Sequence, residues 1–444
     1  MEKGIILGAG ESGVGTAILA RQKGVDVMVS DFGYIAEQYK TELDAYGISW
    51  EEGGHSDSLL DNASWVVKSP GIPRTAPIIQ RVEALGIPIL SEIEYAGRFY
   101  QGKSICITGS NGKTTTTSLI YHILSKAGLN VGVGGNIGMS FARQVAQKEF
   151  DWFVLELSSF QLEDMIDFKA DISILLNITP DHLDRYEYQI EKYADAKFRV
   201  IQNQKSEDLF IYFEEDSMIT KRSADFTSIT SVPFSLSQSY KKQGVSILNG
   251  VLHAELDQHV FEIDTKALPL KGAHNGCNMM AATLASLRVG LSNEEIAQGL
   301  ESFQAVEHRL ELCRELEGVR YINDSKATNV DATKFALDAF DQDIIWIVGG
   351  TDKGNDYSVL EKMVQEKVKA IICLGVDNHK IIEAFEKCGI PMVETNTMQS
   401  AVEAAYSHTT TDSIVLLSPC CASFDLFKSY IDRGNQFKNC VKQL

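Results

Sequence analysis

The stretch 105–115, Ile-Cys-Ile-Thr-Gly-Ser-Asn-Gly-Lys-Thr-Thr, constrains this chain more than any other. A short apolar strand runs into a Gly-rich turn, and the turn ends in Lys113-Thr114 at the predicted start of a helix. Such a turn aims backbone N–H groups, a helix N-terminus, an ammonium and a hydroxyl at one place. The natural occupant is a nucleoside triphosphate with its magnesium. The spacing departs from the usual Gly-x4-Gly-Lys-Ser/Thr. Counting back from Gly112, Ile107 stands at the first Gly position, and Gly109 comes later. Taken alone, the stretch also admits a plainer reading, a Gly-rich turn followed by a chance Lys-Thr.

The chain has 444 residues, enough for roughly two to four domains. Its 44% hydrophobic and 23% charged residues are those of an ordinary globular protein with material for its cores. A net charge of −19 argues against nucleic acid or an anionic membrane surface as the main partner. It does not bar an anionic small ligand, which needs only local donors. The eight Cys are scattered without C-x-x-C pairs, and Cys420 and Cys421 are adjacent, a poor geometry for a structural disulfide. Reduced thiols in a cytoplasmic protein are expected. The N-terminus enters a strand without a signal-peptide pattern, and no apolar run approaches the ~20 residues of a membrane span.

Along the chain, residues 4–7 read as a strand, followed by Gly8-Ala-Gly-Glu-Ser-Gly13, a helix to Lys23 with Gly24 as its stop, and a strand at 25–29 leading to Asp31. This satisfies G-x-G-x-x-G with its downstream acid. A nicotinamide dinucleotide is one reading; the less specific one is a turn cradling some nucleotide diphosphate, with Asp31 on a ribose or base. The strand 65–68 leads into Ser69-Pro-Gly-Ile-Pro73, a loop shaped for close backbone approach. The pattern restarts near 92–98, and a second segment begins there. It holds the helix from Thr114 to Ala127, a second Gly-rich loop at 132–138, a strand at 153–157 carrying Glu156, and a strand at 172–178 that closes with Thr179-Pro-Asp-His-Leu-Asp184. A helix over 189–203, short antiparallel strands within 210–261, and a helix from Lys271 to Leu287 complete it. From Ala305, β-rich runs at 319–322, 344–348, 370–374 and 414–417 alternate with helical patterns, which predicts a parallel doubly wound sheet.

Glu156, His182 and Lys197 follow strand ends, where ligands of parallel sheets gather. Thr114 and phosphate oxygens suit a hard cation, and Glu156 with His182 would suit a second. Taken singly, a strand-end Glu is equally read as a salt-bridge partner and a lone His as structural.

Together the motifs resemble the Mur ligase family. They are Thr108–Thr114, Gly134-Gly-Asn-Ile-Gly138, Glu156-Leu-Ser-Ser-Phe-Gln-Leu162, Asn177-Ile-Thr-Pro-Asp-His-Leu-Asp-Arg-Tyr186, His274-Asn275, His308-Arg309, Asn323-Asp-Ser-Lys-Ala-Thr-Asn329, Leu417-Ser-Pro-Cys-Cys-Ala-Ser423 and Arg433-Gly-Asn435. They run in order over nearly the whole chain and are most similar to the D-glutamate-adding branch. The resemblance implies an α/β protein of three domains: a Rossmann-like UDP-binding domain at 1–94, a central P-loop ATPase-like domain at 95–304 with a parallel sheet plus a small antiparallel one, and a C-terminal Rossmann-like, amino-acid-binding domain at 305–444.

It further implies a monomeric cytoplasmic ligase of peptidoglycan precursor synthesis. ATP activates the carboxylate of UDP-N-acetylmuramoyl-L-alanine as an acyl phosphate, which the amine of D-glutamate then attacks. Glu11, Ser12, Asp31, Gly71 and Asn136 match the UDP-substrate positions, although Phe32-Gly33 stands where some relatives place polar and basic residues. Gly109, Ser110, Asn111, Gly112, Lys113, Thr114, Thr115, Asn275, Asn278, Arg309 and Asp324 match ATP positions. Thr114, Glu156, His182 and Lys197, the last as a carbamate (N6-carboxylysine), match holders of two magnesium ions. Lys113, His182, Lys197 and Arg309 are the expected catalytic groups, with His308 beside Arg309 as a substrate-orienting or supporting residue. Thr328, Lys353, Ser423, Phe424 and Tyr430 match the D-glutamate positions, and the absence of an Asp-Asn-Pro-Arg stretch fits glutamate rather than diaminopimelate or lysine. The competing expectations are another amino-acid-adding Mur ligase, a folylpolyglutamate-type ligase, a dinucleotide-dependent oxidoreductase built on Gly8–Gly13, and a nucleotide-binding protein without catalysis.

Overall fold

The computed structural model describes residues 2–240, 243–304 and 306–444; the expected boundary at Ala305 lies outside them. The chain divides into two compact units. Met1–Ile178 and Gln189–Phe303 form the first, and Thr179–Tyr188 with Gln304–Leu444 form the second.

The first unit holds two sheets. The N-terminal one is parallel, with β1 (Lys3–Leu7), β2 (Asp26–Ser30), β3 (Ser49–Glu51), β4 (Trp65–Lys68) and β5 (Ile89–Leu90) in the order β3-β2-β1-β4-β5. The order reverses between β1 and β4. The Gly8 turn after β1 and the Ser-Pro-Gly loop after β4 therefore flank the crevice where such sheets bind ligands.

The second sheet contains β6 (Lys103–Thr108), β7 (Val131–Gly135), β8 (Trp152–Glu156), β9 (Ile172–Leu175), β10 (Leu209–Phe213), β11 (Thr230–Ser235), β12 (Gly244–Leu248), β13 (Val251–Leu256) and β14 (His259–Asp264). Its order is β14-β13-β12-β11-β10-β9-β6-β8-β7. Pairings from β7 to β12 are parallel, and β12-β13-β14 is an antiparallel meander on the same sheet's edge. The antiparallel part expected within 210–261 thus extends the parallel sheet, and β10 and β11 within that range are parallel.

The Gly-rich run 132–138 is a strand for its first half rather than a loop. Its glycines answer to packing: a Cβ on Gly132 would lie 2.5 Å from the Phe153 ring, and one on Gly135 (φ +92°) 2.3 Å from the Glu156 carbonyl oxygen. One apolar core runs from the helix Glu11–Gln22 and β2 through Tyr95 and Phe141 to Phe153 and Leu155 on β8, so the two sheets of this unit share it.

The second unit's sheet has β15 (Glu311–Leu316), β16 (Val319–Asn323), β17 (Ile344–Val348), β18 (Val368–Leu374), β19 (Met392–Thr395) and β20 (Ile414–Leu417) in the order β15-β16-β20-β17-β18-β19. All its pairings are parallel except β15 with β16. Apolar clusters cover both faces, around Trp346 and Phe385 on one and Tyr321 and Phe437 on the other. This is why β17, β18 and β20 are nearly continuous apolar runs. No helix among the described residues is long and apolar enough to cross a membrane.

Candidate active site

The strand β6 ends at Thr108, and the helix Lys113–Lys126 starts five residues on, with Gly112 as its N-cap at φ +85°. A Cβ on Gly112 would meet Asn278 Oδ1 at 2.5 Å, and one on Gly109 (φ +152°) would press on Leu176. Glycine is therefore required at both positions by conformation and space together. Asn177 fixes the turn from the next strand. Its Oδ1 accepts from the Asn111 N–H at 2.8 Å, its Nδ2 donates to the Asn111 carbonyl at 3.1 Å, and its carbonyl accepts from the Ser110 N–H at 2.9 Å. Lys113 Nζ donates to the carbonyls of Gly109 (2.7 Å) and Ser110 (2.8 Å).

Beside the turn lies a row of oxygen-bearing groups. Thr114 Oγ1 donates to Glu156 Oε2 at 2.6 Å, and Asn136 Nδ2 donates to Glu156 Oε1 at 2.9 Å. Glu156 ends β8 and is buried. A hydroxyl and a buried carboxylate beside a Gly-rich strand-to-helix turn are hard oxygen donors of the kind that magnesium takes. Lys197, on the helix Ile190–Phe198, is only 1% exposed. Its Nζ donates to the Gly109 carbonyl at 2.8 Å and lies 4.4 Å from the centre of the Tyr193 ring. Tyr193 OH accepts from Ser110 Oγ at 3.2 Å. Helix Ala273–Val289 brings Asn278, whose Oδ1 accepts from Thr116 Oγ1 at 3.1 Å and whose Nδ2 donates to Asn275 Oδ1 at 3.2 Å.

At the N-terminal sheet, Gly10 and Gly71 have open space where a Cβ would stand. Asp31 accepts from the Ala9 N–H at 2.7 Å and the Gly33 N–H at 2.8 Å. The Glu11 carboxylate accepts from Arg143 Nε (2.7 Å) and the Ser140 N–H (3.1 Å). Arg143 is also paired to Glu42, and these carboxylates hold its guanidinium above the usual range. Glu11 thus braces the Gly-rich turn, and the N–H groups of Glu11 and Ser12 open the helix Glu11–Gln22.

The second unit carries the remaining expected residues. Asp181 lies 3.7 Å from His182 Nε2 and 3.5 Å from Lys353 Nζ, and it accepts from Asn329 Nδ2 at 3.2 Å. Asp324 is buried after β16; burial pushes its pKa up to about 7 against the pull of Arg309 and of the Ser418 hydroxyl, which donates to it at 2.9 Å. Arg309 Nε is buried without a hydrogen-bond partner among the described residues. His308 is buried on Asn323 Nδ2 at 2.9 Å, and burial lowers its pKa. Thr328 follows Asp324 and is half-buried. Ser423 is buried, Phe424 is 75% exposed, and Tyr430 is half-buried under Lys326 Nζ at 5.1 Å.

Sequence reasoning gave no role to Arg433, Lys68 or Asp164. Arg433 is buried and donates to the carbonyls of Ser325 (2.8 Å) and Cys421 (3.1 Å), tying together the loops after β16 and β20; burial lowers its pKa to about 10. Lys68 is fully buried at the end of β4, 3.0 Å from Asp164. Asp164 also takes Arg74 at 2.6 Å. An Arg within the Arg433-Gly-Asn435 motif and a Lys closing an apolar strand were the available signals.

Family models for the Mur ligase MurD-like N-terminal domain, the Mur ligase middle domain and the Mur ligase glutamate ligase domain match residues 2–91, 107–286 and 308–421. The UDP-N-acetylmuramoylalanine--D-glutamate ligases of Bacteroides fragilis and Christiangramia forsetii are 50% and 49% identical, with all of each chain covered. That of Porphyromonas gingivalis is 48% identical over 99% of this chain and 98% of its own. Among solved structures, a pseudomurein peptide ligase type C from Methanothermus fervidus matches with a TM-score of 0.65 at 16% identity, over all of both chains. UDP-N-acetylmuramate-alanine ligase MurC from Thermotoga maritima matches at 0.63 and 18%, over 100% of this chain and 99% of that one.

Proposed function

From its membership of the Mur ligase family, we propose that this chain is the ATP-dependent ligase that adds D-glutamate to UDP-N-acetylmuramoyl-L-alanine in peptidoglycan precursor synthesis. The observation that carries the chemistry is the row Thr114–Glu156–Asn136 set against the glycine turn, with buried Lys197 on the turn's own carbonyl.

A carboxylate is a poor electrophile, and bringing it to a triphosphate sets anion against anion. The turn's N–H groups and Lys113 bind the β- and γ-phosphates and offset that repulsion. The substrate's L-alanyl carboxylate attacks the γ-phosphorus and ADP leaves, giving an acyl phosphate. The amine of D-glutamate then attacks the acyl carbon, loses a proton and expels phosphate. Thr114 and Glu156 fit magnesium, which when bound supplies positive charge to the transferring phosphoryl group. By the family resemblance Thr114 would hold the first ion and Glu156 and His182 a second, and Lys197 would act as its carbamate: the neutral amine adds to carbon dioxide and loses a proton, so a cation becomes a carboxylate. Its burial beside Gly109 supports this assignment.

The N–H groups of Glu11 and Ser12, with Asp31, Gly71 and Asn136, hold the UDP-sugar. Asn275 and Asn278 in the first unit, and Arg309 and Asp324 in the second, match nucleotide positions of the family; the Arg309 Nε, buried without a hydrogen-bond partner among the described residues, supports a ligand at that side chain. Thr328, Lys353, Ser423, Phe424 and Tyr430 hold D-glutamate, whose two carboxylates call for a cation and hydroxyls. In this reading the segments 1–94, 95–304 and 305–444 bind UDP-sugar, ATP and amino acid respectively, and the enzyme works as a cytoplasmic monomer.

The test is phosphate release with ATP, magnesium, UDP-N-acetylmuramoyl-L-alanine and each of D-Glu, L-Glu, L-Lys and meso-diaminopimelate. Release is expected with D-Glu alone. Turnover that ignores D-Glu refutes the amino-acid assignment, and turnover without a UDP-sugar refutes the other substrate.

A further inference from the structure

Two loops of the second unit meet at one buried hydroxyl. After β17 the chain turns through Gly349 and Gly350, at φ +139° and +130°, and a Cβ on Gly350 would stand 2.2 Å from the Ala422 carbonyl oxygen. That clearance lets the loop 349–354, which carries Lys353, run against the loop 418–423, which carries Ser423. The Thr351 N–H donates to the Ala422 carbonyl at 2.8 Å, and the Ala422 N–H donates back to the Thr351 carbonyl at 3.2 Å. Beyond this bridge, side chains join the loops. Tyr357 is buried on the helical turn Tyr357–Leu360 and donates its hydroxyl to Asp352 Oδ2 at 2.9 Å. The phenol oxygen accepts from Asn355 Nδ2 at 3.2 Å and meets Cys421 Sγ at 3.1 Å. Burial pushes the Cys421 thiol up to about 11, so it keeps its proton at neutral pH and donates it to the phenol. One donor and two acceptor positions of the hydroxyl are thereby all filled.

The junction governs charge as well as position. Asp352 precedes Lys353, and a bare carboxylate there would repel a dicarboxylic amino acid. Its Oδ1 takes Lys380 Nζ at 2.6 Å and the Gly354 N–H at 2.8 Å. Burial pushes the Asp352 pKa up, but Lys380, the Gly354 N–H and the Tyr357 hydroxyl outweigh it and hold the carboxyl below its usual range. Asp352 so anchored fixes the backbone from which Lys353 extends, and Cys421 fixes the backbone two residues before Ser423. We propose that Tyr357 is a positioning residue for D-glutamate, its hydroxyl setting the Lys353 loop against the Ser423 loop so that both side chains reach the amino acid together. The inference rests on the D-glutamate reading above.

Steady-state phosphate release by the full chain, with ATP, magnesium and UDP-N-acetylmuramoyl-L-alanine, tests it. Tyr357→Phe keeps the ring and removes the junction. Its KM for D-glutamate is expected to rise about tenfold, with kcat and the KM for ATP within about twofold of wild type. Cys421→Ser, which keeps a donor to the phenol oxygen, should match wild type. Phe385→Leu loosens the packing on the Tyr357 ring, whose centre lies 6.1 Å from that of Phe385, and leaves the hydroxyl in place. It should lower the thermal midpoint without moving the KM. Tyr321→Phe removes another buried hydroxyl of this unit, one without a partner among the described residues, and should also leave the KM unmoved. A Tyr357→Phe chain with the wild-type KM for D-glutamate overturns the positioning role while the D-glutamate reading stands. So does a Phe385→Leu chain whose KM rises as far as that of Tyr357→Phe. Should Tyr357→Phe not fold, Cys421→Ala takes its place with an expected rise of about threefold in that KM, and an unmoved KM there overturns the role. A wild-type chain that does not turn over D-glutamate overturns the reading itself, and the positioning role falls with it.

Discussion

Lys68, Lys197 and Arg433 are all buried, and each has a different setting. Lys68 has a carboxylate, and Arg433 has a ring of carbonyls that its five donors can serve at once. Lys197 lies at the Gly-rich turn after β6, against Gly109 and over Tyr193. The proposed carbamate would put a carboxylate at that place. Lys197→Ala is expected to abolish nearly all phosphate release while leaving the thermal midpoint within a few degrees, and millimolar acetate or propionate should restore part of the rate. Lack of rescue in a folded variant counts against the carbamate. At this scale Lys113 and Thr114 were legible because their spacing from Gly112 is local. Arg433 was not, since its partners come from Ser325 and Cys421, remote in sequence.

Among the elements, β7 shows what local composition hides. Four glycines in 132–138 read as a loop, but β7 must pass beside Phe153 and the Glu156 backbone, and only glycine leaves that room. Gly135→Ala would place a methyl 2.3 Å from the Glu156 carbonyl oxygen at φ +92°. We expect a loss of about 2–4 kcal/mol in urea unfolding, together with a raised magnesium requirement as Glu156 shifts. Unfolding within 0.5 kcal/mol of wild type would refute the packing argument. β15, β19 and the helix Tyr430–Gln443 also escaped the sequence reading. β15 and β19 are edge strands with mixed exposure, and the helix is rich in polar residues whose apolar stripe, Phe437 and Val441, becomes evident only against the sheet.

In the molecule as a whole, charge stitches the first unit's two sheets where apolar packing already joins them. Lys68→Met leaves Asp164 buried with only part of its compensation, and we expect about 3 kcal/mol of destabilisation by urea unfolding. Glu92 is buried, with one oxygen on the Ala142 N–H at 2.5 Å and the other without a partner among the described residues; burial pushes its pKa up to about 7 from 4.5. Between pH 4.5 and 7 the folded chain then binds more protons than the unfolded chain. Stability contributed by this group therefore falls as pH rises through that window, by at most about 3 kcal/mol. Glu92→Gln should flatten that slope, as unfolding at pH 5 and pH 8 would reveal; an unchanged slope assigns it elsewhere.

The order of the motifs gave the family and the reaction from sequence alone, and the glycines at 109 and 112 gave the strand–turn–helix, because those constraints act between neighbours in the chain. Tertiary structure decided what local spacing cannot carry. It showed that Glu11 is spent on Arg143, that Lys197 is buried against the Gly109 carbonyl, and that Gly132, Gly134 and Gly135 lie in a strand. It also showed that Tyr357 joins the loops after β17 and β20. Each of these depends on which distant segment folds alongside, and on whether a side chain is left with a partner or without one.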